Sequence, residues 1–235
     1  MQPPVAAVIE AHSTLAGLVA GLNDQQVAGA SFLPGWSRGH VLAHLTDNAR
    51  MFARLAEHAL RGELVAGYDG GVEERNAIIE ATAGRSATEH RAELARYTAR
   101  LEATWARADE EDWGRPVTFR NADLAATVWA RWREAWIHMV DLDLGVRPDD
   151  WPEELAAHAI DFLLCRLPAG TRVRAEDVPR QWSVDSGPGT VVTGRVRDLA
   201  AWLAGRTPTV SPAPAHGLPA LGPWPPHPPQ RLDRA

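Results

Sequence analysis

Arg131-Trp-Arg-Glu-Ala-Trp-Ile-His138 is the stretch on which the fold reading turns. Glu134 and His138 are four residues apart, so on a helix they project from one face. The neighbours Trp129, Trp132, Trp136, Ile137 and Val140 are too apolar for a helix in free solvent. This helix is therefore read as largely buried, and buried ionisable groups need partners. A divalent metal is one such partner. A Glu-x-x-x-His pair alone can equally be an ion pair on a solvated face.

Working outward, a second pair with the same spacing occurs in Gly39-His-Val-Leu-Ala-His44. If its helix packs on the first, a carboxylate and two imidazoles can converge on one ion. Three protein ligands leave coordination positions open, as reactive metal sites require. The interior Val41-Leu42-Ala43 lacks the glutamate of the His-Glu-x-x-His metalloproteases, so this is not such a protease. One of His40 and His44 is assigned to the metal and the other to structure or support of a ligand.

Helical periodicity and end signals set these pairs in context. Residues 5–22 carry Val5, Val8, Ile9, Leu15, Leu18, Val19 and Leu22 near helical spacing. Ser37 is a plausible N-cap for a helix to about Arg61, ahead of Gly62. A shorter helix is predicted over 72–82. Ser86 with Glu89 forms a capping box for a helix to about Ala108. Asp123 caps a helix reaching Leu144, with Gly145 after it. Four long helices in 145 residues predict an N-terminal four-helix bundle over residues 1–147, with the ligands on facing helices. After Pro148 a helix from Trp151 and short β-type segments at 172–174, 181–184 and 190–193 follow, separated by turn residues such as 185–189. With a last helix at 198–203 they predict a small α+β domain over 148–206. Residues 207–235 are proline-rich and read as a tail without regular structure. The expected class is α-dominated.

Composition narrows the function. The 235 residues are 45% hydrophobic, enough to bury a core. The net charge of −6 argues against nucleic acid as a partner. All 24 basic residues are arginine, which removes lysine Schiff-base and phosphate-loop chemistry. The single cysteine, Cys165, allows no internal disulfide, and its apolar setting predicts a buried, inert thiol. No signal peptide or membrane span is read, so a cytoplasmic monomer acting on small molecules is expected.

Gly35-Trp-Ser-Arg-Gly-His-Val-Leu-Ala-His44 and Arg131-Trp-Arg-Glu-Ala-Trp-Ile-His-Met-Val-Asp-Leu142 resemble signature segments of the mycothiol-dependent maleylpyruvate isomerase family. That family belongs to the DinB-like group of metal-binding four-helix bundles. The resemblance implies His44, Glu134 and His138 as metal ligands. Arg75-Asn-Ala-Ile-Ile79 is similar to the family's arginine segment and implies Arg75 as anion-binding and catalytic residue. Leu203-Ala-Gly-Arg206 is similar to the family's C-terminal helix end. Arg38 and Arg131 are further candidates for contacts to the cofactor or to a carboxylate.

The implied cofactors are zinc, or another divalent metal, and mycothiol. The implied reaction converts maleylpyruvate to fumarylpyruvate: a thiolate adds to the alkene, the new single bond rotates, and elimination gives the trans product. Zinc would hold the thiol as thiolate and polarise the keto oxygen. Three other readings stay open: a mycothiol S-transferase acting on another electrophile, a non-catalytic metal-binding module, and an iron site of two histidines and one carboxylate.

Overall fold

A computed structural model describes residues 2–185, 189–213 and 217–226. The chain divides into two compact units, Met1–Leu144 and Gly145–Pro226, leaving aside the final residues. Among the described residues there are eight α-helices and three strands. None of these helices is long and apolar enough to cross a membrane.

In the first unit the long helices are α1 (Val5–Val19), α3 (Arg38–Ala59), α5 (Ala87–Trp105) and α6 (Leu124–Asp141). Two shorter ones are α2 (Asp24–Ala28) and α4 (Gly71–Ala83). α3 is central: it packs on α4, α5 and α6, while α1 packs on α5 and α6. Its sequence suits that place. Ala43, Ala49, Ala53, Ala56 and Ala59 are all buried and let neighbours approach, while Leu42, Leu45, Phe52 and Leu55 fill the gaps.

The helix starts follow the sequence signals. Ser37, Ser86 and Asp123 each accept a backbone N–H one turn on. Such a cap is worth about 1 kcal/mol. α2 was not anticipated from periodicity, since five residues are too few to show one. Its Asn23–Gln26 capping box was the available signal.

Gly39 marks the tightest approach in the bundle. A Cβ there would lie 2.2 Å from the Ala83 carbonyl oxygen at the end of α4. Only a residue without a side chain lets the two helices sit this close.

In the second unit α7 (Glu153–Leu163) and α8 (Val196–Leu203) pack together beside a three-stranded sheet. Its strands are β1 (Arg172–Ala175), β2 (Gln181–Ser183) and β3 (Val191–Gly194), in the order β2-β1-β3. β1 runs antiparallel to β2 and parallel to β3, with Val173 opposite both Trp182 and Val192. Val173 and Ala175 point inward and Arg172 and Arg174 outward.

Past the last helix, Ala213 bridges back to Thr193. Most of the turn expected at 185–189, and the tail beyond Pro226, lie outside the described residues. Cys165 corrects the sequence expectation: it is exposed, in a single 3₁₀ turn after α7. The apolar run around it belongs to α7, and the helix ends before the cysteine can turn inward.

Candidate metal centre

α3 and α6 bring three atoms able to ligate a metal to one point. His44 Nε2 lies 2.9 Å from Glu134 Oε2 and 3.0 Å from His138 Nε2. Glu134 Oε2 and His138 Nε2 are 3.4 Å apart. Two imidazole nitrogens and a carboxylate oxygen suit zinc, and tetrahedral ligands bound at about 2.0–2.1 Å would stand roughly 3.3 Å from one another. The donor set and its spacing therefore fit a divalent ion. Among the described residues this is the group with ion-holding geometry.

The local electrostatics follow from burial and mutual contact. Desolvation and the neighbouring His138 push the His44 imidazole down to about 4, against the hydrogen bond with Glu134. Burial would raise the Glu134 carboxyl, but hydrogen bonds with His138 and His44 outweigh it and hold it well below the usual range. His138 also pays desolvation, yet its bonds to Asp141 and Glu134 leave it above an ordinary imidazole. The site is not sealed: the Glu134 side chain keeps 30% of its exposure, against 8% for His44.

Around the three lie residues with separable jobs. Arg75, on α4, donates from Nη2 to His44 Nδ1 at 3.1 Å, so its guanidinium stands beside the site. Asp141 accepts from His138 Nδ1 at 2.7 Å. Trp36 packs its ring 6.0 Å from those of both His40 and His44.

His40 is used differently from His44. Its Nδ1 takes bonds from the Ser37 backbone N–H and lies 2.7 Å from Ser37 Oγ, closing the capping box of α3. The other ring nitrogen is 3.5 Å from Glu80. One histidine of the pair thus starts the helix while the other, a turn later, faces α6.

The structure places the remaining candidates apart from those three atoms. Arg38 clasps the end of α6, donating to the carbonyls of Leu142 at 2.6 Å and Asp143 at 3.1 Å. That satisfies orphan carbonyls of a helix terminus. Arg131 is fully buried inside the bundle. It donates from Nε to His12 Nε2 at 2.9 Å, and from Nη1 to the Leu45 carbonyl and to Asn48 Oδ1, both at 2.9 Å.

Asp141 was missed from the sequence. Its signal was present as His138-Met-Val-Asp141, three residues along the same helical face.

The fold has relatives among known proteins. No curated protein sequence matches the chain significantly. A crystal structure of the mycothiol-dependent maleylpyruvate isomerase superposes with a TM-score of 0.81 at 25% identity, covering 94% of each chain. A structure of a histidine-to-alanine mutant of that isomerase gives 0.80 at the same identity and coverage. The family model for the mycothiol maleylpyruvate isomerase N-terminal domain matches residues 8–143, more than half of the sequence, so the chain belongs to that family.

Proposed function

We propose that the chain is a mycothiol-dependent isomerase that converts maleylpyruvate to fumarylpyruvate at a zinc centre formed by His44, Glu134 and His138. The observation that carries this reading is the convergence of His44 Nε2, Glu134 Oε2 and His138 Nε2 within 3.4 Å, on a fold shared with an isomerase of that activity. A zinc ion held there would supply a Lewis acid able to lower the pKa of a bound thiol and polarise a keto oxygen.

The chain's own residues supply the rest. Glu134, held ionised, balances the charge of a divalent ion from the partly exposed side of the cluster. Arg75 anchors a substrate carboxylate with its planar fork. The link between Arg75 and His44 gives this a physical basis. The guanidinium has only donors, so His44 accepts at Nδ1 and carries its proton on Nε2. With Nε2 given to an ion, the His44 proton would sit on Nδ1 instead, and His44 would no longer accept from Arg75. The guanidinium is then left for an anion. Trp36 shields the imidazole side of the site from water.

Incubation of the purified protein with maleylpyruvate, with and without mycothiol, tests the reading. Fumarylpyruvate should form only with both thiol and bound zinc. Arg75→Met should raise KM for the dianionic substrate while zinc content is unchanged. Conjugation of mycothiol to a general electrophile without any isomerisation would replace the isomerase by an S-transferase. Zinc and mycothiol added together should raise the melting temperature more than the sum of each alone, since a thiol seated on the bound zinc couples the two binding events.

A further inference from the structure

The two imidazoles of the cluster are held differently at their outer nitrogens. His44 Nδ1 takes a hydrogen bond from the half-buried Arg75. His138 Nδ1 gives one, at 2.7 Å, to Asp141, whose side chain is 1% exposed. Asp141 has little freedom to move. It is the last residue of α6, and its carbonyl accepts the Phe32 N–H at 2.9 Å from the loop before α3. Glu134, His138 and Asp141 thus run along one face of a single helix at i, i+4 and i+7: ligand, ligand and anchor.

We infer that Asp141 is the positioning residue of the metal centre, acting through His138. This rests on the reading that His44, Glu134 and His138 hold a divalent ion. By accepting from Nδ1–H, the carboxylate fixes the His138 tautomer and ring plane and leaves the Nε2 lone pair directed at His44 and Glu134. It also raises the basicity of the ligand nitrogen. With Glu134 it places two negative charges at or beside the centre, matching a divalent cation. Outer partners of this kind change metal affinity by about 10–100-fold.

The experiment uses the full-length chain and zinc. Dissociation constants are measured by chelator competition for the wild type, Asp141→Asn and Asp141→Ala, and unfolding midpoints are measured on the metal-free forms. Asn has the same shape and can still accept from Nδ1–H, but carries no charge. It should weaken zinc about 10-fold, and Ala about 100-fold. The metal-free midpoint of Asp141→Asn should stay near the wild-type value. In zinc-loaded wild type, nitrogen-15 spectra should show a His138 Nδ1 proton protected from exchange; in Asp141→Ala that protection should be lost.

Asp141→Asn decides the matter alone if Asp141→Ala does not fold. Wild-type zinc affinity in Asp141→Asn, or a fall in metal-free stability with unchanged affinity, overturns the inference. A wild type that binds zinc tightly but does not isomerise maleylpyruvate overturns the proposed reaction and leaves Asp141 in its role. A wild type without zinc affinity overturns both.

Discussion

Two of the polar clusters buried in the bundle differ in how their hydrogen bonds close. One joins His12 of α1, Asn48 of α3, Glu102 of α5 and Arg131 of α6. Arg131 donates to His12 and Asn48, and His12 Nδ1 donates to Glu102 at 2.8 Å. In nearly every contact a donor meets an acceptor; Arg131 Nη2 is the one atom left over. The other cluster, His44, Glu134 and His138, turns two imidazole nitrogens and a carboxylate oxygen toward one another. Both contain histidine and glutamate, and both draw on α6 at positions 131 and 134. What separates the two is that one closes into donor–acceptor pairs while the other turns three groups able to ligate a metal toward one point.

The sharpest way to break this comparison is to remove a ligand. His44→Ala, Glu134→Ala or His138→Ala should each abolish zinc binding, with losses beyond the 10–100-fold of an outer partner. The metal-free variants should stay folded, because the apolar core of the bundle is untouched. Elemental analysis reads the first effect and circular dichroism the second. Retained zinc in Glu134→Ala would remove the carboxylate from the centre.

The opposite pattern is expected for the closed cluster. Arg131→Met leaves His12 Nε2, Asn48 Oδ1 and the Leu45 carbonyl without their donor, at about 1–3 kcal/mol each. A stability loss of about 3 kcal/mol or more should appear in urea titrations, while zinc stoichiometry stays at that of the wild type. Loss of zinc from a folded Arg131→Met protein would merge the two clusters into one functional unit.

A smaller effect comes with acid. Burial, opposed by the bond to Glu102, pushes the His12 imidazole down from 6.5 to about 4. Between those values the unfolded chain binds a proton that the native chain does not. The stabilisation from neutral His12 is therefore complete above pH 6.5 and is lost as pH falls toward 4, by on the order of 3 kcal/mol. Urea titrations of metal-free protein at pH 7, 5.5 and 4 should show this slope, and His12→Gln should flatten it. An unchanged slope in the variant would assign the acid sensitivity elsewhere, with His44 the next candidate.

The helices were legible because their periods and caps are local. Ser37, Ser86 and Asp123 start helices where their side chains signal a cap. The candidate ligands could be proposed because each pair lies on one helix, and the resemblance supplied the choice of His44 over His40. The capping role of His40 gives that choice a structural counterpart: a histidine at the third position of a helix can complete its own cap. Arg131 was harder. Nothing in its own segment reveals that His12, 119 positions away, and Asn48 would meet it. Trp132 and Trp136 announced a buried helix but not which polar neighbour would face a core partner and which the site. Asp141 was visible in spacing, but without the distance to His138 Nδ1 it read as one more acid near a helix end.

The contact at Gly39 carries a last consequence. A single hydrogen atom there allows α4 to lie against the first turn of α3, and α4 is the helix that bears Arg75. A methyl group in its place would wedge the two apart and carry the guanidinium away from the imidazole five positions further along α3. The reach of the proposed anion-binding arm is thus calibrated by the smallest residue in the chain, at a point away from the cluster itself.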